Sequence, residues 1–254
     1  MLFLIKTGFL KLVIDIGNTV AKVAVFEGDD IIDFAVLSND LLDEVKHRLN
    51  RYPEINSSIL SSVASYDIEL EQLLSSYGSY LELSHNTPVP FSNHYSTPET
   101  LGKDRIAIAA AAASLYQNTN VLVIDIGTCT TYDFINYKGE YHGGAISPGL
   151  SLRFRALNEF THGLPLVDLP DHKRKINLIG KSTEESILSG VVNGMKMEME
   201  RIINQYEEEY SPLVTILSGG DHKYFDSLTK NNIFATPNIV VHGLKRILDF
   251  NEEN

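Results

Sequence analysis

Short runs of β-branched and other apolar residues, separated by polar turns, open the chain, and the same pattern returns near its middle. Leu12 to Ile14 and Val121 to Ile124 read as buried strands, because continuous apolar runs of this length suit a strand covered on both faces. From the first run the pattern predicts strands over 11–16, 20–26 and 31–37, the last two joined by the turn from Glu27 to Asp30. A helix over about 39–51 follows, then a strand over 57–62, a short helix over 68–77, a strand over 80–83 and a long alanine-rich helix after Thr100. From the second run, strands over 121–126, 131–136 and 140–146 precede helical segments over 149–159 and 182–208. Pro212 stops the long helix, Leu213 to Leu217 forms a strand, and Gly219 with Gly220 forms a turn. A helix, a short strand at Ile233 to Ala235 and a last helix complete the chain. Both parts read βββαβαβα, the second with an irregular insertion near 160–180, which predicts two halves, 11–118 and 119–254, each large enough for its own core.

Each half carries the same signature at the end of its first strand. Asp15, Ile16, Gly17, Asn18 and Thr19 return as Asp125, Ile126, Gly127 and Thr128, followed by Cys129 and Thr130. One Asp-x-Gly after a strand also describes a plain hairpin turn, but its recurrence in the same context favours a duplicated phosphate-handling element. Gly17 and Gly127 lack a Cβ and let the backbone approach a phosphate, while Asn18, Thr19, Thr128 and Thr130 offer side chains that hydrogen-bond its oxygens. Two more stretches stand out. Ser84–Glu99, with three prolines and two histidines, reads either as an ordered functional loop or as a plain surface loop. Gly143 to Gly149 either brings backbone N–H groups to a phosphate or substrate at the following helix start, or meets turn and packing needs.

A net charge of −12 and a pI near 5.1 leave no extended basic face, which excludes nucleic acid as an expected partner. The densest basic run, His172 to Lys175, reads as a solvated loop, with an anionic ligand as the alternative. The single cysteine, Cys129, rules out an intrachain disulfide, suits a reducing cytoplasm and is expected to pack as a small apolar residue with no base beside it. Met1 to Ile5 is too short an apolar run before Lys6 for a signal peptide or membrane span, so a cytoplasmic protein with no membrane association is expected. Residues 1–10 are expected to be dispensable, since the first convincing strand begins near Lys11.

The residues from Asp15 to Lys22 resemble the first phosphate motif of the type III pantothenate kinases. Gly102, Lys103, Asp104 and Arg105 resemble that family's Gly-x-Asp-Arg element, Asp125 to Thr128 its second phosphate motif, and Gly143 to Gly149 its glycine-rich turn, in matching order along nearly the whole chain. The resemblance implies the superfamily of acetate and sugar kinases, heat-shock ATPases and actin. Its fold is α/β, with two ribonuclease-H-like halves, each a mixed five-stranded sheet with helices, and ATP in a cleft between them. The implied reaction is transfer of the γ-phosphoryl group of Mg-ATP to the primary hydroxyl of pantothenate, giving 4′-phosphopantothenate and ADP, the first step of coenzyme A synthesis.

Residue by residue, the likeness puts Asp15, Ile16, Gly17, Asn18, Thr19, Val20, Ala21 and Lys22 around the ATP phosphates, with Asp15 close to Mg²⁺, Lys22 near the transferred charge and Thr128 as a further ATP contact. Asp104 corresponds to the base that accepts the substrate's hydroxyl proton, Arg105 with the backbone of Gly102 and Lys103 helps hold pantothenate, and Tyr95 and Thr183 contact it. Taken alone, Asp104 and Arg105 read as a helix-start acid beside a surface arginine, and Tyr95 and Thr183 as a loop tyrosine and a helix cap. Asp125 matches a monovalent-cation position, for K⁺ or ammonium. Family members form homodimers with pantothenate close to the subunit interface. Two departures are Cys129, where the family more often has alanine, and residues 1–10, which lengthen the terminus. Competing readings are a catalytically silent relative acting as a transcription accessory factor, a kinase of the same superfamily for another small hydroxyl compound, and a chaperone-like or filament-forming ATPase, which the chain length disfavours.

Overall fold

Three antiparallel strands, β1 (Leu10–Ile16), β2 (Ala21–Glu27) and β3 (Asp30–Leu37), start the computed structural model, which describes residues 9–229 and 232–253. The expectation for the amino terminus therefore falls almost wholly outside the described residues. After α1 (Leu41–Arg51), β4 (Ile55–Ser62) pairs in parallel with β1, and after α2 (Ile68–Tyr77), β5 (Ser79–Glu82) pairs in parallel with β4. The sheet order is β3-β2-β1-β4-β5. Side chains alternate across a strand, so Leu10, Leu12, Ile14 and Ile16 share one face of β1, where they pack with Val45 and Leu49 of α1 and Leu70 and Leu74 of α2. Lys11, Val13 and Asp15 occupy the opposite face. Asp67 caps α2, its side chain accepting the Glu69 N–H at 2.9 Å.

The segment predicted as a loop over 84–99 contains a two-residue strand, β6 (Ser92–Asn93). It leads into α3 (Lys103–Leu115), whose residues from Arg105 to Ala112 are all buried. A helix covered on every side cannot be amphipathic, and its run of alanines keeps it thin enough for close packing.

The second sheet repeats the antiparallel start with β7 (Asn120–Ile126), β8 (Cys129–Ile135) and β9 (Glu140–Pro148). Then come α4 (Leu150–Glu159), α5 (Thr183–Leu188), α6 (Gly194–Tyr210), β10 (Leu213–Ser218) and β11 (Ile233–Ala235), with β10 parallel to both β7 and β11. Leu122, Ile124 and Ile126 form its core with Phe154, Met195, Met199 and Leu217. This sheet has six strands rather than five, because β6 adds to the free edge of β9, in the order β11-β10-β7-β8-β9-β6. The helix expected over 182–208 is also interrupted, by a π-helical turn at Ser189–Asn193. There the Ser189 hydroxyl donates to the Leu178 carbonyl at 2.6 Å and the Asn193 amide to the Asn177 carbonyl at 3.3 Å, so the widened turn is tied to the irregular insertion before it. The helix expected after Gly220 is a 3₁₀ segment, His222–Leu228, with non-helical geometry at Phe225.

The last helix, α7 (Ile239–Glu253), joins the first sheet. The chain forms two compact units, one comprising residues up to Pro90, Ser96–Ser114 and Val240 onward, the other Phe91–Tyr95 and Leu115–Ile239. A linear division at 118/119 thus differs from the observed one by two exchanged segments. The physical reasons are the open edge of β9, which takes β6, and the second face of the first sheet, which needs the cover of α7. Phe26 meets His242 edge-on at 5.4 Å, and at Gly243 an added Cβ would lie 1.8 Å from the Ala107 carbonyl oxygen, so α3 and α7 touch backbone to backbone. The buried Lys245 ammonium lies 2.7 Å from both Asp29 and Asp249, and Lys11 bonds Asp249 at 2.7 Å and also Glu252. Burial alone would lower the Lys11 pKa, but the hydrogen bonds to Asp249 and Glu252, with their charges, outweigh it and raise the pKa above its ordinary value.

Two outcomes are expected. Gly243→Ala lowers unfolding stability by about 1–3 kcal/mol through overpacking, whereas Gly194→Ala, whose added methyl meets nothing within 4 Å, raises it by up to about 1 kcal/mol. Urea titrations compare the two, and equal effects would contradict the helix contact. A raised lysine pKa contributes stability that is fully present below the unfolded value near 10.5 and lost as pH climbs through the folded value. The Tm gap between the wild type and Lys11→Met should therefore be level near neutrality and close in the alkaline range, and a gap indifferent to pH would deny Lys11 this role.

Candidate active site

Both sequence signatures lie on hairpin turns at the ends of central strands. In the first unit Ile16 pairs with Ala21 and the Gly17 N–H donates to the Val20 carbonyl at 3.0 Å. In the second Ile126 pairs with Thr130 and the Gly127 N–H donates to the Cys129 carbonyl at 3.0 Å, so this turn is one residue tighter. Asp15 is buried and stands between Lys22 on the antiparallel neighbour and Ser61 on the parallel one. Asp125, half-buried, stands likewise between Thr131 and Ser218. Both serines are buried, although serine-rich stretches ordinarily read as surface. The duplication reaches one step further: the Ile16 carbonyl accepts the Val63 N–H at 3.0 Å, and the Ile126 carbonyl accepts the Asp221 N–H at 3.0 Å.

The second turn is pressed against the start of α4. The Gly149 N–H donates to the Thr128 carbonyl at 3.1 Å, and a Cβ on Gly149 would lie 2.0 Å from the Gly127 carbonyl oxygen. Glycine is required there by contact, so the packing reading of the Gly143–Gly149 stretch holds at this position. Gly219, at φ +90, passes equally close to the backbone of Ile126. Beside it burial pushes the Asp221 carboxyl up, with the nearby His222 opposing. Sequence reasoning passed over Ser61, Ser218 and Asp221. The signal that could have found them is the position of Ser61 and Ser218 at the ends of the parallel strands after each signature.

Gly102 to Arg105 open α3 in the first unit. Asp104 is half-buried, and its Oδ1 accepts the Arg105 N–H at 2.9 Å, while the Gly102 carbonyl accepts the Ile106 N–H at 3.0 Å. An acid in the first turn is favoured by the positive end of the helix dipole. Arg105 is buried at 4 % exposure rather than lying at the surface. The approach to this corner is anchored by His85 Nε2, 3.0 Å from the Leu101 carbonyl, and by Lys103, 3.7 Å from Glu82.

Tyr95 follows β6 in the second unit, half-buried, with its ring 6.2 Å from that of Tyr141. Thr183 is exposed at the first position of α5, and its neighbour Ser182 supplies the cap by accepting the Glu185 N–H at 3.2 Å. The first unit thus holds the residues from Asp15 to Lys22 with those from Gly102 to Arg105, and the second holds Tyr95, Asp125, Thr128 and Thr183. Cys129 does not pack as a core residue. It is exposed, because it begins β8 directly on the turn.

A cavity of about 240 Å³ opens on the first turn, lined by Gly17 to Val20 and Ser38 to Leu41. Another of about 840 Å³, mostly apolar, runs along α4 from Pro148 past Leu152, Leu157, Phe160 and Val191. Among the described residues no three His, Cys, Asp or Glu side chains gather as a metal site. A single carboxylate such as Asp15 still fits Mg²⁺, which usually keeps its waters and takes most other ligands from phosphates. Among the described residues no helix is long and apolar enough to cross a membrane.

Comparison with known proteins identifies the family. The family model of the type III pantothenate kinases matches residues 11–205. A type III pantothenate kinase of Christiangramia forsetii is 46% identical over 96% of this chain and 99% of its own length. Among solved structures, a Campylobacter jejuni protein assigned to the Baf family of transcriptional activators aligns with TM-score 0.60 at 18% identity, over 96% of this chain and 100% of its own. The activator of the 2-hydroxyisocaproyl-CoA dehydratase from Clostridium difficile, with bound ADPNP, aligns with TM-score 0.53 at 12% identity, over 96% of each chain. At such identities these structures show a shared α/β fold and nothing of activity. Matched along most of its length and nearly half identical to a full-length relative, the chain belongs to the type III pantothenate kinase family.

Proposed function

We propose that this chain transfers the γ-phosphoryl group of ATP to the primary hydroxyl of pantothenate. The observation that carries the reading is Asp104. It offers a half-buried carboxylate at the start of α3, in the same unit as the Asp15 turn, in a chain of this family. Oδ1 accepts the Arg105 N–H, and Oδ2 is the oxygen assigned to the substrate hydroxyl. As the hydroxyl oxygen bonds to the γ-phosphorus and the bond from that phosphorus to the ADP oxygen breaks, Asp104 takes the hydroxyl proton. Lys22 and the N–H groups of the Gly17 turn offset charge on the phosphates, and Thr128 makes a further contact from the second turn. Magnesium travelling with the nucleotide supplies further charge neutralisation, and Asp15 would hold it. Arg105, Lys103, Tyr95 and Thr183 bind pantothenate, and Asp125 supplies a hard oxygen to K⁺ or ammonium.

The active form in this reading is a homodimer in the cytoplasm. What supports the dimer is the number of large apolar side chains exposed in the second unit, among them Ile146, Phe160, Leu178 and Ile179, with Phe160 at 84%.

A coupled ADP-release assay with Mg-ATP and K⁺ tests the reaction by comparing pantothenate with glycerol, acetate, sugars and no acceptor. Pantothenate-dependent release is expected, and Asp104→Asn should cut kcat by about 10²- to 10⁴-fold while nucleotide binding survives. Full activity in that variant would remove Asp104 as the base. Release stimulated by a different hydroxyl compound would replace the substrate but keep the kinase. Asp125→Ala should abolish stimulation by K⁺ and raise the KM for ATP. An enzyme indifferent to K⁺ in both forms would refute the cation assignment.

A further inference from the structure

Asp133, on β8, is a fully buried carboxylate with no part in the reaction described above. Its Oδ2 accepts the Thr131 hydroxyl and its Oδ1 the Tyr141 hydroxyl, each at 2.8 Å. A carboxylate taken out of water is costly, so its hydrogen bonds must be well made, and in return they fix the groups that make them. The group fixed here is the ring of Tyr141, itself fully buried on β9. That ring lies tilted against Tyr95, with centroids 6.2 Å apart and planes at 39°, and meets Phe91 at 6.0 Å.

Tyr95 is also held through β6 and the backbone around it. β6 contributes two paired residues, with the Ser92 and His94 N–H groups each bonded at 2.9 Å, to the Gly139 and Tyr141 carbonyls. The Asn93 side chain accepts the Tyr95 N–H at 3.0 Å. Gly143, at φ +94, leaves the space the ring edge uses, since a Cβ there would fall 2.9 Å from the Tyr95 Cδ2. The Tyr141 ring is thus part of the surface on which the Tyr95 ring rests. A phenol anchored at its hydroxyl keeps one tilt, whereas an unanchored ring can slide.

We propose that Asp133, with Thr131 and Tyr141, is a positioning unit for Tyr95 and sets the affinity for the phosphoryl acceptor rather than the rate of transfer. The proposal rests on the reading of Tyr95 as a pantothenate contact. Asp133→Asn, which removes the charge and turns one of the two hydrogen bonds around, serves where Tyr141→Phe does not fold, since Tyr141→Phe keeps the ring but takes a donor from a buried carboxylate. Tyr141→Phe should raise the KM for pantothenate about tenfold and move kcat and the KM for ATP by less than about twofold. Added to Tyr95→Ala, it should change the pantothenate KM by less than about twofold more, because two residues acting through one contact are not additive. Independent, additive effects, or a lower Tm with both KM values moving together, would make the cluster merely structural and overturn the proposal. A wild type without pantothenate-dependent ADP release would sink the functional reading, and the proposal with it. If the wild type responds but Tyr95→Ala is silent, the site assignment fails. If Tyr95→Ala matters and Tyr141→Phe does not, only the positioning unit falls.

Discussion

Everything in each sheet depends on how the end of its central strand is held. The carbonyl that follows each aspartate is fixed from the parallel neighbour, Ile16 by the Val63 N–H and Ile126 by the Asp221 N–H, both at 3.0 Å. The turn beyond is closed on the other side by a glycine N–H. Strand side chains alternate, so a slip of one residue would carry Asp15 into the apolar layer beside Leu49 and Leu70 and bring isoleucine to the place of the acid. The apolar face and the acid therefore fix the same register, one by excluding charge and the other by requiring a polar setting.

Much of this was legible from the sequence because it is local. Dense apolar runs marked β1 and β7, the Asp-x-Gly signature marked their ends, and α2 lies over 68–77 as its pattern predicts. What escaped depends on distant pairing. Ser92 and Asn93 have no strand-like pattern and become β6 only because β9 offers an open edge. Ser61 and Ser218 look like surface residues until parallel pairing sets them beside Asp15 and Asp125. Cys129 was misread because residue type suggested burial, whereas its place at the edge of a turn decides exposure. At α5 the cap is Ser182, one position before the threonine that the family motif singles out, so Thr183 is left with its hydroxyl unused by the cap. The π-helical turn was hidden because its residues favour a continuous helix and only the tie to Leu178 widens it.

Close backbone contacts form a second theme. Gly149 on Gly127, Gly219 on Ile126 and Gly243 on Ala107 each leave no room for a methyl group. Two of them press on the Gly127 turn and one locks the helices over the first sheet, so the glycines that look like flexible punctuation in the sequence are among the most constrained positions in the fold.

The exchange of α7 into the first unit shapes how the chain can be made. The face of the first sheet that carries Lys11, Val13 and Phe26 lies far ahead of the covering helix α7 in the chain, so the strands leave the ribosome long before that helix does. The second unit, contained within 91–239, can close before the first is finished. A chain halted before Val240 lacks α7 and leaves that face of the sheet with α3 as partial cover, exposing apolar surface of the kind that chaperones and proteases recognise.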